Sequence, residues 1–231
     1  TPRIKRTRKT EVSSSATVND EGGKIVSAMN LDDLSKQYFD VLKELGNIGA
    51  GNATTALAQM LNCKVDMSVP QVKLLDFKDV GDMMGGADQI MAGIYLSVEG
   101  DIDGSIMFLV GLQEARHLVN RLMMQNSTSQ EFSEIELSAL KEVGNIITGS
   151  YLNSLSTMTN LKMIPSIPYV TVDMAGAILS VPAIEFGMMG DKILMIETQF
   201  FDEIKLSGYF ILLPDLEGYK KILASLGISG V

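Results

Sequence analysis

The sequence predicts an α+β fold built twice over, with a largely antiparallel sheet and two long helices carrying the most distinctive residues. Three observations lead there. The segment YFDVLKELGNIGAGNATTALAQML at 38–61 matches ELSALKEVGNIITGSYLNSLSTMT at 136–159, pairing Lys43 with Lys141, Glu44 with Glu142, Gly46 with Gly144, Asn47 with Asn145, Ile48 with Ile146 and Gly51 with Gly149. A constant offset of this kind, here 98 residues from Lys43 to Lys141, marks an internal duplication. The same offset carries SVP at 68–70 onto SIP at 166–168, so the match outlasts the helix. Finally, several hairpin-like runs lie between the helical segments, which favours antiparallel pairing over the strict strand–helix alternation of a parallel sheet.

Each half reads as helix, strands, helix. Asn30 with Asp33, and Ser133 with Glu136, have the spacing of helix-start caps, and Tyr38, Val41, Leu45 and Ile48 recur at helical period after the first. Strand-like runs follow in CKVDMSV and VKLLDF, then in QIMAGIYLSVEG and GSIMFLVG around the turn GDIDG, and a helix QEARHLVNRLMM closes the half. The second half answers with LKMIPSIPYVTVDM, AILSVPAI, DKILMIETQF, KLSGYFILLP and a last helix from Asp215 to about Leu226. Repeat one is expected over about 30–126 and repeat two over about 127–231, as one large domain or two intertwined halves.

Residues 1–29 read differently. The first 24 hold six basic side chains (Arg3, Lys5, Arg6, Arg8, Lys9, Lys24) against Glu11, Asp20 and Glu21, a net of +3 that leaves −12 for the rest of a chain whose total is −9. A basic run followed by SSS predicts a disordered, solvated tail. The acidic body should repel nucleic acid and free phosphorylated metabolites. No apolar run reaches the length of a membrane span and no secretory leader is visible, so a cytoplasmic protein without membrane insertion is expected. The single Cys63 rules out an internal disulfide framework and a cysteine-based metal cluster.

Four familiar chemistries fit poorly. GAGNAT approaches a dinucleotide fingerprint, but Thr54 stands where the third glycine belongs and the run follows a helix rather than a strand. His117 is the only histidine, sits on the polar side of an ordinary helix and has no Cys or His companions for zinc or a nucleophilic triad. The 15 methionines read as core filler. Glu44 and Glu142 as a general acid and base would need two different environments, whereas repetition predicts two equivalent ones.

What remains is a polar stripe on the glycine-bearing helix. Asp40, Glu44, Asn47 and Gly51 fall at i, i+4, i+7 and i+11, so they share a face, with Glu44 and Asn47 about one turn apart. Tyr38, Val41, Leu45 and Ile48 form the adjacent stripe that can turn inward. The second helix repeats this with Ser138, Glu142, Asn145 and Gly149 beside Ala139, Val143 and Ile146. A single copy would pass for a solvated face with small residues for helix packing. Two copies, each followed at the same distance by a proline, would not.

Asp40-x3-Glu44-x2-Asn47-x22-Pro70 and Ser138-x3-Glu142-x2-Asn145-x22-Pro168 resemble the signature of the CheC/CheX/FliY family of bacterial chemotaxis phosphatases, over about residues 31–228. Two intact copies resemble the CheC branch more than CheX. The resemblance implies a pseudo-twofold CheC-like α+β fold in which two long helices lie side by side, each presenting a Glu/Asn pair to phosphorylated CheY. It implies a phosphatase acting on the aspartyl-phosphate of that response regulator, with Glu44, Asn47, Glu142 and Asn145 catalytic and Asp40, Ser138, Pro70, Pro168, Gly51 and Gly149 supporting them.

The chemistry of these residue types is compatible. An acyl phosphate is already activated, so its hydrolysis mainly needs a water held in line with the departing carboxylate. An Asn amide is no base near neutral pH, but it has a donor and an acceptor with which to orient that water. Phosphoryl oxygens would repel a glutamate, so Glu44 and Glu142 are expected to pair with a cation on the partner, which the resemblance identifies as the regulator's active-site lysine. No cofactor of its own is expected, the regulator bringing its Mg²⁺. The glycines would let the partner's loops approach and let the two helices pack. A monomer with pseudo-twofold symmetry is expected. The resemblance also implies binding of the receptor deamidase CheD, with Asp173 as a candidate contact. The competing reading is a non-catalytic flagellar-switch or adaptor module: the FliM middle domain has this fold without the Glu/Asn pairs, and FliY keeps the pairs but adds a C-terminal switch domain.

Overall fold

Both copies of the repeated segment fold into helices of 26 residues, α1 (Lys36–Leu61) and α4 (Glu134–Thr159), whose bounds are again offset by 98 positions. The computed structural model describes residues 36–76, 79–186, 192–201 and 205–227; the N-terminal tail and the Asn30/Asp33 cap lie outside them. The second cap is present: the Ser133 hydroxyl accepts from the Glu136 N–H and the Glu136 carboxylate accepts from the Ser133 N–H at 2.7 Å, satisfying two donors that the helix start would otherwise orphan. Both helices stop at an asparagine in left-handed backbone, Asn62 (φ 48°) and Asn160 (φ 54°), a conformation asparagine tolerates better than most residues.

Between the helices run β1 (Asp66–Met67), β2 (Gln71–Asp76), the short α2 (Val80–Met83), β3 (Ile90–Gly100), β4 (Gly104–Gly111) and α3 (Leu112–Met123). After α4 come β5 (Met163–Pro165), β6 (Tyr169–Met174), α5 (Ala175–Phe186), β7 (Lys192–Phe201), β8 (Lys205–Pro214) and α6 (Leu216–Ser225). The strands form one eight-stranded sheet in which every pairing is antiparallel. Its centre is β4 against β8, with Phe108 opposite Phe210. Outward from this pair the halves exchange strands. β7 receives β1 and β2 from the first half, and β3 receives β5 and β6 from the second.

Strict alternation along the strands sends side chains to two cores. On one face Ala92, Ile94, Leu96, Ile106, Phe108, Leu194, Ile196 and Phe210 are buried with residues of α1, α3 and α4. On the other, Met91, Met107, Leu109, Met195 and Ile211 are buried with Val80, Ile178 and Leu179, so four of the methionines (Met84, Met91, Met107, Met195) do fill a core.

Three expectations need correction. AILSVPAI, grouped with the strand-like runs, lies within α5 with Pro182 inside the helix. A short all-apolar run cannot be told from a buried helix by periodicity, and here one side packs on the second core while Val181 and Ile184 face outward. The inward stripe of the long helices is also rotated. Leu45 and Val143 are buried as expected, but Val41, Ala139 and Ile146 are half-buried and Ile48 is exposed, while the contact is made by Leu42, Gly46, Gly49, Ala50 and Ala53 on α1 and Leu140, Gly144 and Ile147 on α4. Small residues bring a helix axis close to its neighbours, so they mark the buried face here better than large apolar side chains do. On α3, His117, expected on the polar side of the helix, is half-buried.

Candidate active site

Each proline loop is fastened to the sheet beneath the motif helix. Ser68 donates its N–H to the Gln199 carbonyl on β7 at 2.9 Å, and its counterpart Ser166 donates to the Ser97 carbonyl on β3 at 2.8 Å. Pro70 and Pro168, next but one in each loop, are buried. In the first copy the helix rests directly on this platform: a Cβ at Gly46 would stand 3.6 Å from Pro70 Cβ and 3.4 Å from both Val72 and Ile196. In the second, Gly144 rests on Ile94, where a Cβ would come within 2.6 Å. Glycine is required there for the approach itself. The residue after each of these glycines is the motif asparagine.

The two motif faces therefore stand over different strands, β7 and β3. With β8 and β4 between them, those strands are three inter-strand steps apart, about 14 Å. Each copy draws on both halves: α1 with its own proline loop stands on a strand of the second half, and α4 on a strand of the first.

Above the platform the polar residues point outward. Glu44, Glu142 and Asn145 are exposed and Asn47 is half-buried. None of these four side chains is engaged in a hydrogen bond or ion pair with another described residue. The supporting positions are occupied weakly or locally: Asp40 stands 3.9 Å from Lys43 with both side chains more than half exposed, and the Ser138 hydroxyl donates to its own helix at the Glu134 carbonyl, 2.9 Å. A long exposed ion pair of this kind adds little and leaves Asp40 available.

Gly51 and Gly149 have nothing pressing on them from within the fold. The nearest atom to a Cβ at Gly51 would be Met67 Cε at 4.0 Å, and none lies within 4 Å at Gly149. Helix contact falls instead to Gly49, which lies under the Tyr151 ring with 2.4 Å between a hypothetical Cβ and Tyr151 Cδ1. The pseudo-symmetric counterparts of Gly49 and Tyr151 are Ile147 and Ala53, both buried. One copy thus opposes glycine to tyrosine where the other opposes isoleucine to alanine. Asp173 is exposed at the end of β6 and accepts the Met174 N–H through Oδ1 at 2.8 Å.

Sequence reasoning passed over the support of the α4 start. Buried Arg116 of α3 pairs with Glu136, donates to the Glu131 carbonyl at 2.6 Å and lies 3.9 Å from the Phe132 ring centre. Gln125 donates to the same carboxylate at 2.7 Å. The Ser133 N–H, ahead of the Gln125, Ser133 and Arg116 side-chain donors, holds the Glu136 carboxyl down at about 2, against the upward push of burial.

The CheC-like family model matches residues 40–74 and 135–172, two segments that contain both Glu/Asn pairs and both prolines. The chain is 38% identical over 202 residues to the CheY-P phosphatase CheC of Bacillus subtilis, covering 85% of this chain and 97% of that protein. The chain belongs to the CheC-like family. A second relative, the flagellar motor switch phosphatase FliY of Bacillus subtilis, is 30% identical across 61% of this chain, which spans 37% of FliY. In three dimensions the CheC-like fold superimposes on Thermotoga maritima FliY with a TM-score of 0.68 at 21% identity, covering 86% of this chain and all of that one. The FliM middle domain of H. pylori gives 0.64 at 14% identity, covering 83% and 99%. Among the described residues, no helix of this CheC-like chain is long and apolar enough to cross a membrane.

Proposed function

We propose that this chain is a phosphatase that hydrolyses the aspartyl-phosphate of a phosphorylated CheY-type response regulator, using Glu44 with Asn47 and Glu142 with Asn145 as two separate sites. The observation that carries the reading is the repeated Glu/Asn pair, one turn apart and uncommitted within the fold, beside a proline loop in both segments that match the family. Each asparagine amide orients a water toward the phosphorus, in line with the carboxylate that leaves. Each glutamate pairs with the regulator's lysine and so orders the regulator's own pocket around the helix. The regulator brings the Mg²⁺ that neutralises the phosphoryl oxygens, and the chain acts as a monomer with two sites. CheD is a second partner in this reading.

Supporting it are the exposure of Glu44, Glu142 and Asn145, the open space over Gly51 and Gly149, and the likeness to a CheY-P phosphatase along most of the chain. The test is phosphate release from phosphorylated CheY with and without this protein. Acceleration that rises with protein concentration supports the reading. An unchanged release rate overturns it in favour of an adaptor that binds without hydrolysis.

A further inference from the structure

The two proline loops carry a feature that the Glu/Asn chemistry does not use. Val69 and Ile167, at the repeat offset and immediately before the buried prolines, are 77% and 81% exposed. A single exposed apolar side chain is ordinary on a protein surface; what sets these two apart is that the same loop position, before the same buried proline, carries one in both copies. These loops are also held. Ser68 and Ser166 bond to the sheet on one side of the exposed residue, at 2.9 and 2.8 Å, and the buried proline follows on the other. In the second loop the Ser166 hydroxyl additionally accepts the Ser97 N–H at 3.0 Å. Pro70 in turn packs against Gly46, the neighbour of Asn47. At the first site Val69 is therefore held in place relative to Asn47, and a β-branched residue has little rotamer freedom to lose on contact. At the second site Ile164 and Tyr169 are exposed as well, at 49% and 67%, which widens the apolar surface around Ile167.

We propose that Val69 and Ile167 are docking teeth, each seated on an apolar patch of the phosphorylated response regulator beside its acidic pocket while the neighbouring Glu/Asn pair enters that pocket. The partner follows from continuity with the motif face and from the repetition of the tooth with the motif, and the proposal rests on the phosphatase reading above. In an acidic body meeting an acidic pocket, an uncharged contact supplies affinity without adding to like-charge repulsion. The polar pair then acts on the reaction and the tooth on encounter lifetime.

Steady-state phosphate release from phosphorylated CheY tests this with Val69→Ser and Ile167→Ser. The double variant is expected to raise KM about tenfold, the effect of truncating one anchoring contact per site, with kcat at saturation retained. Thermal unfolding should not move, because both side chains are exposed. The effects should also be local: Val69→Ser should raise the KM of Asn145→Ala, where only the first site turns over, and not that of Asn47→Ala. An active wild type whose KM is unmoved by the double variant overturns the teeth while leaving the phosphatase reading intact. A fall in kcat at unchanged KM overturns docking as their role. A wild type that releases no phosphate overturns both.

Discussion

Gly49 lies beneath the aromatic ring of Tyr151, closer than any side chain allows, with 2.4 Å between a hypothetical Cβ and Cδ1. The ring cannot retreat. It stacks on Phe210 at 4.1 Å between centroids, and its hydroxyl shares a 2.7 Å hydrogen bond with Thr198. Burial pushes that phenol up to about 12, so it stays neutral. Gly49→Ala is therefore expected to lower stability. Overpacking costs about 1–3 kcal/mol, only partly offset by the gain of roughly 1 kcal/mol from replacing a helical glycine. Thermal denaturation should show a Tm lower by about 2–6 °C.

Gly51 and Gly149 should respond in the opposite sense. Among the described residues no atom crowds either position, so Gly51→Ala with Gly149→Ala should raise stability by about 1–2 kcal/mol through helix propensity alone. If the regulator's loops approach the helix there, the same variant should have a higher KM for phosphorylated CheY. Denaturant unfolding and steady-state kinetics on one preparation check both halves of the expectation.

The acid limb of the stability curve should depend on Glu136. Its carboxyl is held at about 2, below the ordinary 4.5, mainly by the Ser133 N–H. A depressed carboxyl contributes stability that is fully present above pH 4.5 and is lost as pH falls from there toward 2. Glu136→Gln removes that contribution and leaves Arg116 buried without its counter-charge, so it should lose several degrees of Tm at pH 7. It should also flatten the decline of Tm between pH 4.5 and 2, and a pH series of melting curves on both proteins measures this.

The repeat made the long helices, their shared offset and the polar motif legible before any coordinates, because identical residues at identical spacing fold alike. Other features left weaker traces. The buried face of α1 was misread because Gly46, Gly49, Ala50 and Ala53 count for little on an apolar scale, yet close packing selects them. Arg116 stands three residues before buried Val119 and beside buried Ala115, and the partner that lets a charge be buried there, Glu136, lies 20 residues away in sequence. The exchange of β1 and β2 for β5 and β6 between the halves had no local signal, since a duplicated sequence does not say which copy's edge a strand will join.

The glutamates and asparagines should fail differently. Glu44→Gln with Glu142→Gln keeps size and hydrogen-bonding capacity but removes charge, so productive engagement should weaken and the remaining activity should become less sensitive to salt. Asn47→Asp with Asn145→Asp places a charge where the water is held beside the phosphoryl oxygens, so turnover should fall even when the complex saturates. Titration with phosphorylated CheY at two ionic strengths separates the outcomes. An unaltered KM, kcat and salt response in the glutamine variant would reduce the carboxylates to a solvated helix face.

The central claim, that asparagine-held water does the chemistry at two separate sites, meets its most direct test in phosphate release by Asn47→Ala, Asn145→Ala and their combination. Loss of water positioning at one site should cost that site on the order of 10- to 100-fold. Each single variant should therefore keep the activity of the untouched site, up to about half of the total if the two are equal, and the double variant should keep almost none. Full activity in a folded double variant would contradict the account.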